Sequence, residues 1–533
     1  MSILEISNLS HGFGDRTLFK NVNIHLSARE HVALIGRNGA GKSTLFNLIT
    51  DQISHDQGHI RWQNGIKIGF LTQHAKLSDF LTINDALLHA FDSILSKERT
   101  LQGIATKLAN ATGKQLERLL EQYANLQDEL EREGIYEVSA RIQTVADGLG
   151  ILELGLDHPV AHLSGGQRTK VLLAQLLLQQ CDVLLLDEPT NFLDVSHINW
   201  LSNFLKQYEK AFLVISHDAL FLNQIADVIW SLENTELVRY SGSYSAYLSY
   251  ASEKQTQQIQ AYSRQQQEIK RMEDFIEKNI ARASTTKRAQ SRRKALEKMD
   301  RITTPTILAP PSFSFKEVPA SAKIALEATN LIIGYTHPLL PALNLLIEHN
   351  SKIALTGCNG IGKSTLLRTL LGELPPLSGE IHHDEKLKIG YFAQEEYEKS
   401  KATPLDRIWQ CVPDWPKKDV LRVLARSGLK HEHMNQPIHS LSGGEQAKVR
   451  LCKLTLQPAN FLLFDEPTNH LDQPTKDALN TAMKNFTGTL ILVSHEPAFY
   501  KSIVDTLIDL ETLYANGKET QIIARHFKKT KRH

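Results

Sequence analysis

Two nine-residue stretches of this chain could handle phosphate. Gly36-Arg37-Asn38-Gly39-Ala40-Gly41-Lys42-Ser43-Thr44 and Gly357-Cys358-Asn359-Gly360-Ile361-Gly362-Lys363-Ser364-Thr365 share the spacing of a phosphate-binding loop. Glycines at these positions let successive backbone N–H groups curl around phosphate oxygens. Lys42 and Lys363 would bring a point charge to the β- and γ-phosphates, and the Ser43 and Ser364 hydroxyls could ligate Mg²⁺. One match could be an ordinary strand-to-helix turn. Two, each after an apolar stretch and before a helical one (Leu45–Ile49, Leu366–Leu371), argue against that.

Further residues recur with these loops. Asp187-Glu188 and Asp465-Glu466 each close an apolar run and precede Pro-Thr-Asn. The aspartates suit the magnesium shell, and the glutamates could orient and deprotonate an attacking water. Gln73 and Gln394 could bridge magnesium and that water. His217 and His495, each just after an apolar run, could hydrogen-bond the γ-phosphate; a lone histidine there would more often be structural. Leu163-Ser164-Gly165-Gly166-Gln167 and Leu441-Ser442-Gly443-Gly444-Glu445 each open a helical pattern, where a hydroxyl, glycine N–H groups and a helix N-terminus form an anion site.

The elements that position these residues come in two copies. The phosphate loops repeat at an offset of 321 residues, as do KIGFLTQ ending at Gln73 and KIGYFAQ ending at Gln394. From LSGG onward, including Asp187/Asp465 and His217/His495, the offset is 278. Two constant offsets mean duplicated domains. The difference places 43 additional residues in the first copy, between Gln73 and Leu163. Within that insert two amphipathic stretches flank a turn at Asn110-Ala111-Thr112-Gly113, which predicts an antiparallel helical arm at about 91–134. The β-rich openings (Ile3–Ile6, Val22–Leu26, His31–Ile35) and the fully apolar runs Val183–Leu186 and Phe212–Ile215 predict an α/β fold with a parallel sheet covered by helices.

Between the copies, residues 251–322 read as a charged helical hairpin. Helix formers lapse around Ala283-Ser284-Thr285-Thr286, and a proline-rich exit follows from Pro305. Lys278, Arg282, Lys287, Arg288, Arg292, Arg293 and Lys294 fall within one acid-free stretch. Such a tip could neutralise nucleic-acid phosphates and stack on bases, although a solvated spacer would read the same. The expected domains are 1–250, 251–322, 323–524 and a short basic tail, 525–533.

Composition narrows the class. At 533 residues more than one core is required, and the net charge of +1 leaves nucleic-acid attraction to local patches. Four scattered cysteines without a CxxC pair argue against zinc or iron–sulfur sites and fit a reducing compartment. No signal pattern or membrane-length apolar run is present, so a cytoplasmic protein that does not span a membrane is expected.

The order phosphate loop, Gln, LSGGQ, DE, His resembles the ATP-binding cassette superfamily over nearly the whole chain. The resemblance implies two P-loop cassettes in tandem, joined by a helical hairpin linker, that sandwich two ATPs with Mg²⁺ in an intramolecular cassette dimer. It implies that the Lys42 loop faces Ser442, Gly443 and Gly444, that the Lys363 loop faces Ser164, Gly165 and Gly166, and that Phe13 and Tyr335 stack on adenine. It places Asp194 and Asp472 at the cassette interface. Phe192 stands where the second copy has His470, which puts the symmetry of the two sites in question.

The linker RASTTKRAQSRRKALEKM, EPTNHLD and the YSGSYSAYLSY end of the first cassette resemble the F subfamily. That likeness implies a monomeric ATPase that binds the 70S ribosome near its transfer-RNA exit site when closed on ATP. Its linker would act toward peptidyl-tRNA and the 23S rRNA of the peptidyl-transferase centre. The role would be that of a translation factor or of a protein giving antibiotic resistance. Alternative readings are the ATPase subunit of a transporter and a branched-DNA-binding ATPase.

Overall fold

The computed structural model describes residues 2–524 except 15, 37–38, 72–76, 78–81, 110, 192, 234, 280–285, 300–309, 320–321, 394–399, 470 and 517–519. Asn38, Gln73, Phe192, Arg282, Gln394, His470 and the basic tail therefore lie outside the described residues.

The first copy contains β1 (Ser2–Phe13), β2 (Arg16–Ser27), β3 (His31–Gly36), β4 (Gln57–Trp62), β5 (Ile68–Leu71), β6 (Val183–Asp187), β7 (Ala211–Ile215), β8 (Val228–Glu233) and β9 (Glu236–Ser241). An antiparallel sheet orders β2-β1-β4 and a larger sheet β5-β6-β7-β3-β8-β9. In the larger sheet only β8 and β9 pair antiparallel. The two N-terminal strands are longer than the apolar runs alone suggested. Bulges in β1 carry it past Ile6, so its alternation is broken while its pairing continues.

The second copy holds β10 (Lys316–Glu317), β11 (Ile324–Ile332), β12 (Leu343–Glu348), β13 (Lys352–Thr356), β14 (Ser378–His383), β15 (Ile389–Phe392), β16 (Pro458–Ala459), β17 (Phe461–Asp465), β18 (Thr489–Val493), β19 (Thr506–Asp509) and β20 (Thr520–Ala524). Its parallel sheet runs β15-β17-β18-β13-β19, the same five strands in the same order as β5-β6-β7-β3-β8. The duplication seen as offsets is thus a duplication of topology.

Strands β6, β7, β17 and β18 are buried at every position. Their alternate residues feed two separate cores. Val183 and Leu185 join Trp230, Phe46 and the antiparallel sheet, whereas Leu184 and Leu186 join Leu173, Leu177 and the helical layer. A sheet covered on both faces holds its strand ends rigidly, and those ends carry Gly36, Asp187 and Asp465.

The insert forms helices Asp92–Leu108 and Lys114–Arg132, clipped together by Lys97, whose Nζ lies 2.6 Å from Glu133. No residue of the first helix is buried, and only Leu130 of the second. Ile94 and Leu95 root the pair on the first core.

The linker helix starts at Tyr244, ahead of the expected boundary, and runs to Asn279. Tyr247 draws the start into the domain: it is buried, its hydroxyl lies 2.7 Å from Ser231 Oγ, and it donates to Glu233 at 3.0 Å. Burial pushes its phenol up to about 12. A second helix, Thr286–Lys298, returns along the first. Arg292 lies 3.8 Å over the Phe275 ring and Arg293 pairs with Glu297, so the basic stretch is partly compensated, by a ring and by an acid just beyond its end. The linker exits as a strap. Phe315 packs among Phe464 and Phe486, and β10 pairs with β16.

Candidate functional site

Each phosphate loop leaves a buried strand and enters a helix, Lys42–Ile49 or Lys363–Leu370. The N-cap glycines Gly41 and Gly362 hold φ of 111° and 106°, left-handed values that favour glycine. Lys42 is buried and donates to Gly36 O at 2.8 Å; Lys363 donates to Gly357 O at 2.7 Å and Cys358 O at 3.1 Å. Burial lowers the pKa of both ammonium groups, against the pull of Glu188 and Asp187 at Lys42 and of Glu466 at Lys363.

The acidic pairs stand directly opposite. Ser43 hydrogen-bonds to Asp187 and Ser364 to Asp465, which joins the residues singled out for magnesium in each copy. Asp465 Oδ1 is buried without a hydrogen-bond partner. A hydroxyl beside a carboxylate with a free oxygen is a donor set that fits a hard divalent cation. Burial raises the Asp187 carboxyl and brings that of Asp465 to about 6, with the neighbouring Glu466 adding to it.

The sign follows. A buried carboxyl with a raised pKa favours the apo fold when protonated, and that contribution is lost as pH rises through about 6. Asp465→Asn is therefore expected to raise the metal-free melting temperature at pH 7.5 by a few degrees, and by less at pH 5. Equal shifts at both pH values in calorimetry would contradict this.

Glu188 and Glu466 follow their aspartates with φ of 50° and 47°, uncommon for a glutamate. Each is pinned by its own N–H, to Ile215 O at 2.9 Å and Val493 O at 3.0 Å. His217 Nε2 lies 3.4 Å from Glu188 Oε1, and His495 Nε2 lies 3.2 Å from Glu466 Oε1. In the second copy Lys363 Nζ is 2.6 Å from His495 Nε2 and 4.0 Å from Glu466. Burial opposes ionisation of Glu466, but His495 and Lys363 hold its carboxyl below the usual range.

Ser164 and Ser442 are N-caps of helices Gly165–Leu178 and Gly443–Leu456. Both close a capping box, with Gln167 in the first and Glu445 in the second.

The two copies meet at a cavity of about 990 Å³. Its walls are Phe13, Gly39, Gly41, Lys42, Ser43, Thr44, Asp187, Glu188 and His217 from the first copy, and Ser442, Gly443, Gly444 and Glu445 from the second. Across this boundary Asp472 acts on the charge of Lys42. At the other loop Asp194 acts on Lys363 and Cys358, and Lys170 feels Cys358. Phe13 and Tyr335 are 53% and 62% exposed, so neither is a core aromatic. Thr17, Leu18, Glu432, Gln436 and Ser440 also line the cavity and were not singled out in the sequence. The last three lie just ahead of LSGGE, and that proximity was the one available signal.

Comparison with known proteins agrees with this geometry. A family model described as "ABC transporter" matches residues 19–191 and 340–469, and a second with the same description matches 230–315. An uncharacterized ABC transporter ATP-binding protein of Bacillus subtilis, YfmM, is 45% identical over 94% of this chain and 97% of its own. The ABC transporter F family member 2 of Arabidopsis thaliana is 32% identical over 95% of this chain and 76% of its own. The chain belongs to the F family of ATP-binding cassette proteins.

As a tandem-cassette member of that family it binds ATP and is an ATPase. The fold has a match in an archaeal ribosome recycling factor, aABCE1, crystallised with the stalk protein aP1. Its TM-score is 0.56, with 18% identity, covering 97% of this chain and 89% of that one. Among the described residues no helix is long and apolar enough to cross a membrane.

Proposed function

We propose that this F-family ATPase is a clamp that closes on two ATPs and, when closed, binds the ribosome near the transfer-RNA exit site. The observation that carries the reading is the cavity in which the Lys42 loop of one cassette faces Ser442–Gly444 of the other. Nucleotide phosphates bridging those halves would hold the cassettes shut.

In each site the loop N–H groups and Lys42 or Lys363 bind and orient the phosphates. Ser43 with Asp187, and Ser364 with Asp465, would hold Mg²⁺, which supplies charge neutralisation when bound. Gln73 and Gln394 would join that shell. Glu188 and Glu466 take the proton of the attacking water, and His217 and His495 contact the γ-phosphate and orient the glutamates. Phe13 and Tyr335 would stack on adenine. Ser164–Gly166 would complete the Lys363 site, where Asp194 already reaches Lys363 electrostatically.

Two features support a ribosomal partner. The 36-residue linker helix, roughly 54 Å long, is rooted in the first cassette, projects from it and returns through a basic segment suited to RNA. The archaeal protein with a similar tandem fold is a ribosome recycling factor. The linker would act on peptidyl-tRNA or the peptidyl-transferase centre, as a translation factor or by protecting the ribosome from an antibiotic.

The Glu188→Gln/Glu466→Gln protein with ATP is expected to sediment with 70S ribosomes and to leave them when ATP is withheld. Sedimentation free of ribosomes in ATP would refute the ribosomal reading.

A further inference from the structure

The two signature helices are not equivalent in charge. In the first cassette the capping box is closed by Gln167, whose Oε1 accepts from Ser164 N–H at 2.8 Å. In the second it is closed by Glu445, whose Oε2 accepts from Ser442 N–H at 3.0 Å. The second cassette therefore places a carboxylate in the wall of the cavity that holds the Lys42 loop. A helix N-terminus favours an anion, but here a fixed anion would share that terminus with incoming phosphate.

The structure offers a compensating group. His433 Nδ1 lies 2.8 Å from Glu445 Oε1, and the two side chains are 5% and 12% exposed. At the matched offset of 278 the first cassette has Gly155. Histidine thus accompanies the glutamate, and glycine the neutral glutamine.

We infer that His433 is a positioning residue for the Lys42 nucleotide site: in its charged form it cancels the charge Glu445 would present to the phosphates and holds Glu445 on the Ser442 cap. ATP closure at this one site is thereby linked to the charge on His433.

Several other charged groups bear on this pair. His431 and Glu432 flank His433 on its own short helix, His431–Met434, and both are exposed. On the helices packed against it, Asp406 is exposed with its carboxylate tied to Thr403, Arg407 is half-buried, and Asp419 pairs with Arg422. The helix Lys417–Arg426 also carries Lys417, Lys418 and Arg426, all exposed. Lys448, on the helix of Glu445, pairs with Asp472. Across the cavity stand Lys42, Asp187, Glu188 and His217. Of these groups, Glu445 is the one in contact with His433 Nδ1.

The proposal rests on the composite-site reading, and its test separates the two. In the full chain carrying Glu188→Gln, Glu466→Gln and Lys363→Met, Mg-ATP affinity reports the Lys42 site and is measured by calorimetry at about pH 6.5 and about pH 8.5. Relative to Glu445→Gln, the parent is expected to lose about tenfold in affinity at the higher pH. His433→Gln is expected to be about tenfold weaker than the parent at the lower pH, and His433→Gln/Glu445→Gln to return to within about twofold. A merely structural pair would make the double variant at least as weak as His433→Gln.

The proposal is overturned if Glu445→Gln follows the parent's pH profile or the double variant is not rescued. Gly444→Asp separates the failures. If it weakens ATP binding while those outcomes occur, only the role of His433 falls. If it leaves affinity unchanged, the composite-site reading falls too.

Discussion

Replacing Glu188 and Glu466 together by Gln is expected to lower ATP turnover on the order of a hundred- to a thousandfold while leaving ATP binding within a few-fold of wild type. Gln keeps the size and the hydrogen-bond reach toward His217 and His495 but cannot take a proton from water. The backbone argues for the same outcome. Both glutamates hold left-handed φ values, pinned by hydrogen bonds to the neighbouring strand, at the mouth of a fully buried strand. Such strain at one position of each copy is kept where a side chain must be aimed, and Gln inherits the aim without the basicity. Steady-state phosphate release with nucleotide binding in parallel distinguishes the cases: turnover near the wild-type rate would remove these residues from the role of base.

Lys42→Met is expected to weaken nucleotide binding at its site by a hundredfold or more, roughly the loss of a charge-assisted contact in a water-poor pocket. The metal-free protein should melt no lower than wild type, because burial is the largest influence on Lys42 and opposes its charge. Most substitutions of buried residues destabilise, so this pairing of lost binding with retained stability is diagnostic. A large fall in melting temperature would mean that Lys42 serves the fold through its bond to Gly36 O rather than the ligand.

These residues were legible because their chemistry restricts residue type. A left-handed N-cap before a phosphate needs glycine at Gly41 and Gly362, and a strand buried on both faces needs the unbroken apolar runs ending at Asp187 and Asp465. The strained φ of Glu188 and Glu466 was not legible, since glutamate does not advertise that conformation. Nor were Glu432 and Gln436, which reach the cavity only because the second cassette docks on the first. The basic linker stretch was legible as composition, but a count of bases overlooks Phe275, which lies beneath Arg292 across the hairpin, and Glu297, which pairs with Arg293 one helical turn on. The helix beginning at Tyr244 was not legible for a related reason: a tyrosine-rich segment reads as the end of a sheet domain until Tyr247 is seen buried against Ser231 and Glu233.

The strap at Phe315 has a consequence for the order of the closing reaction. One end of the linker is locked into the first cassette by Tyr247, and the other is stitched to the second by β10 and by Phe315 against Phe464, the residue before Asp465. The halves of each proposed ATP site are thus tethered within one chain, so their meeting does not depend on the amount of protein in solution. For the proposed clamp, assembly of the sites is then a first-order step, indifferent to dilution, and ATP would need only to tip an encounter that the tether has already arranged.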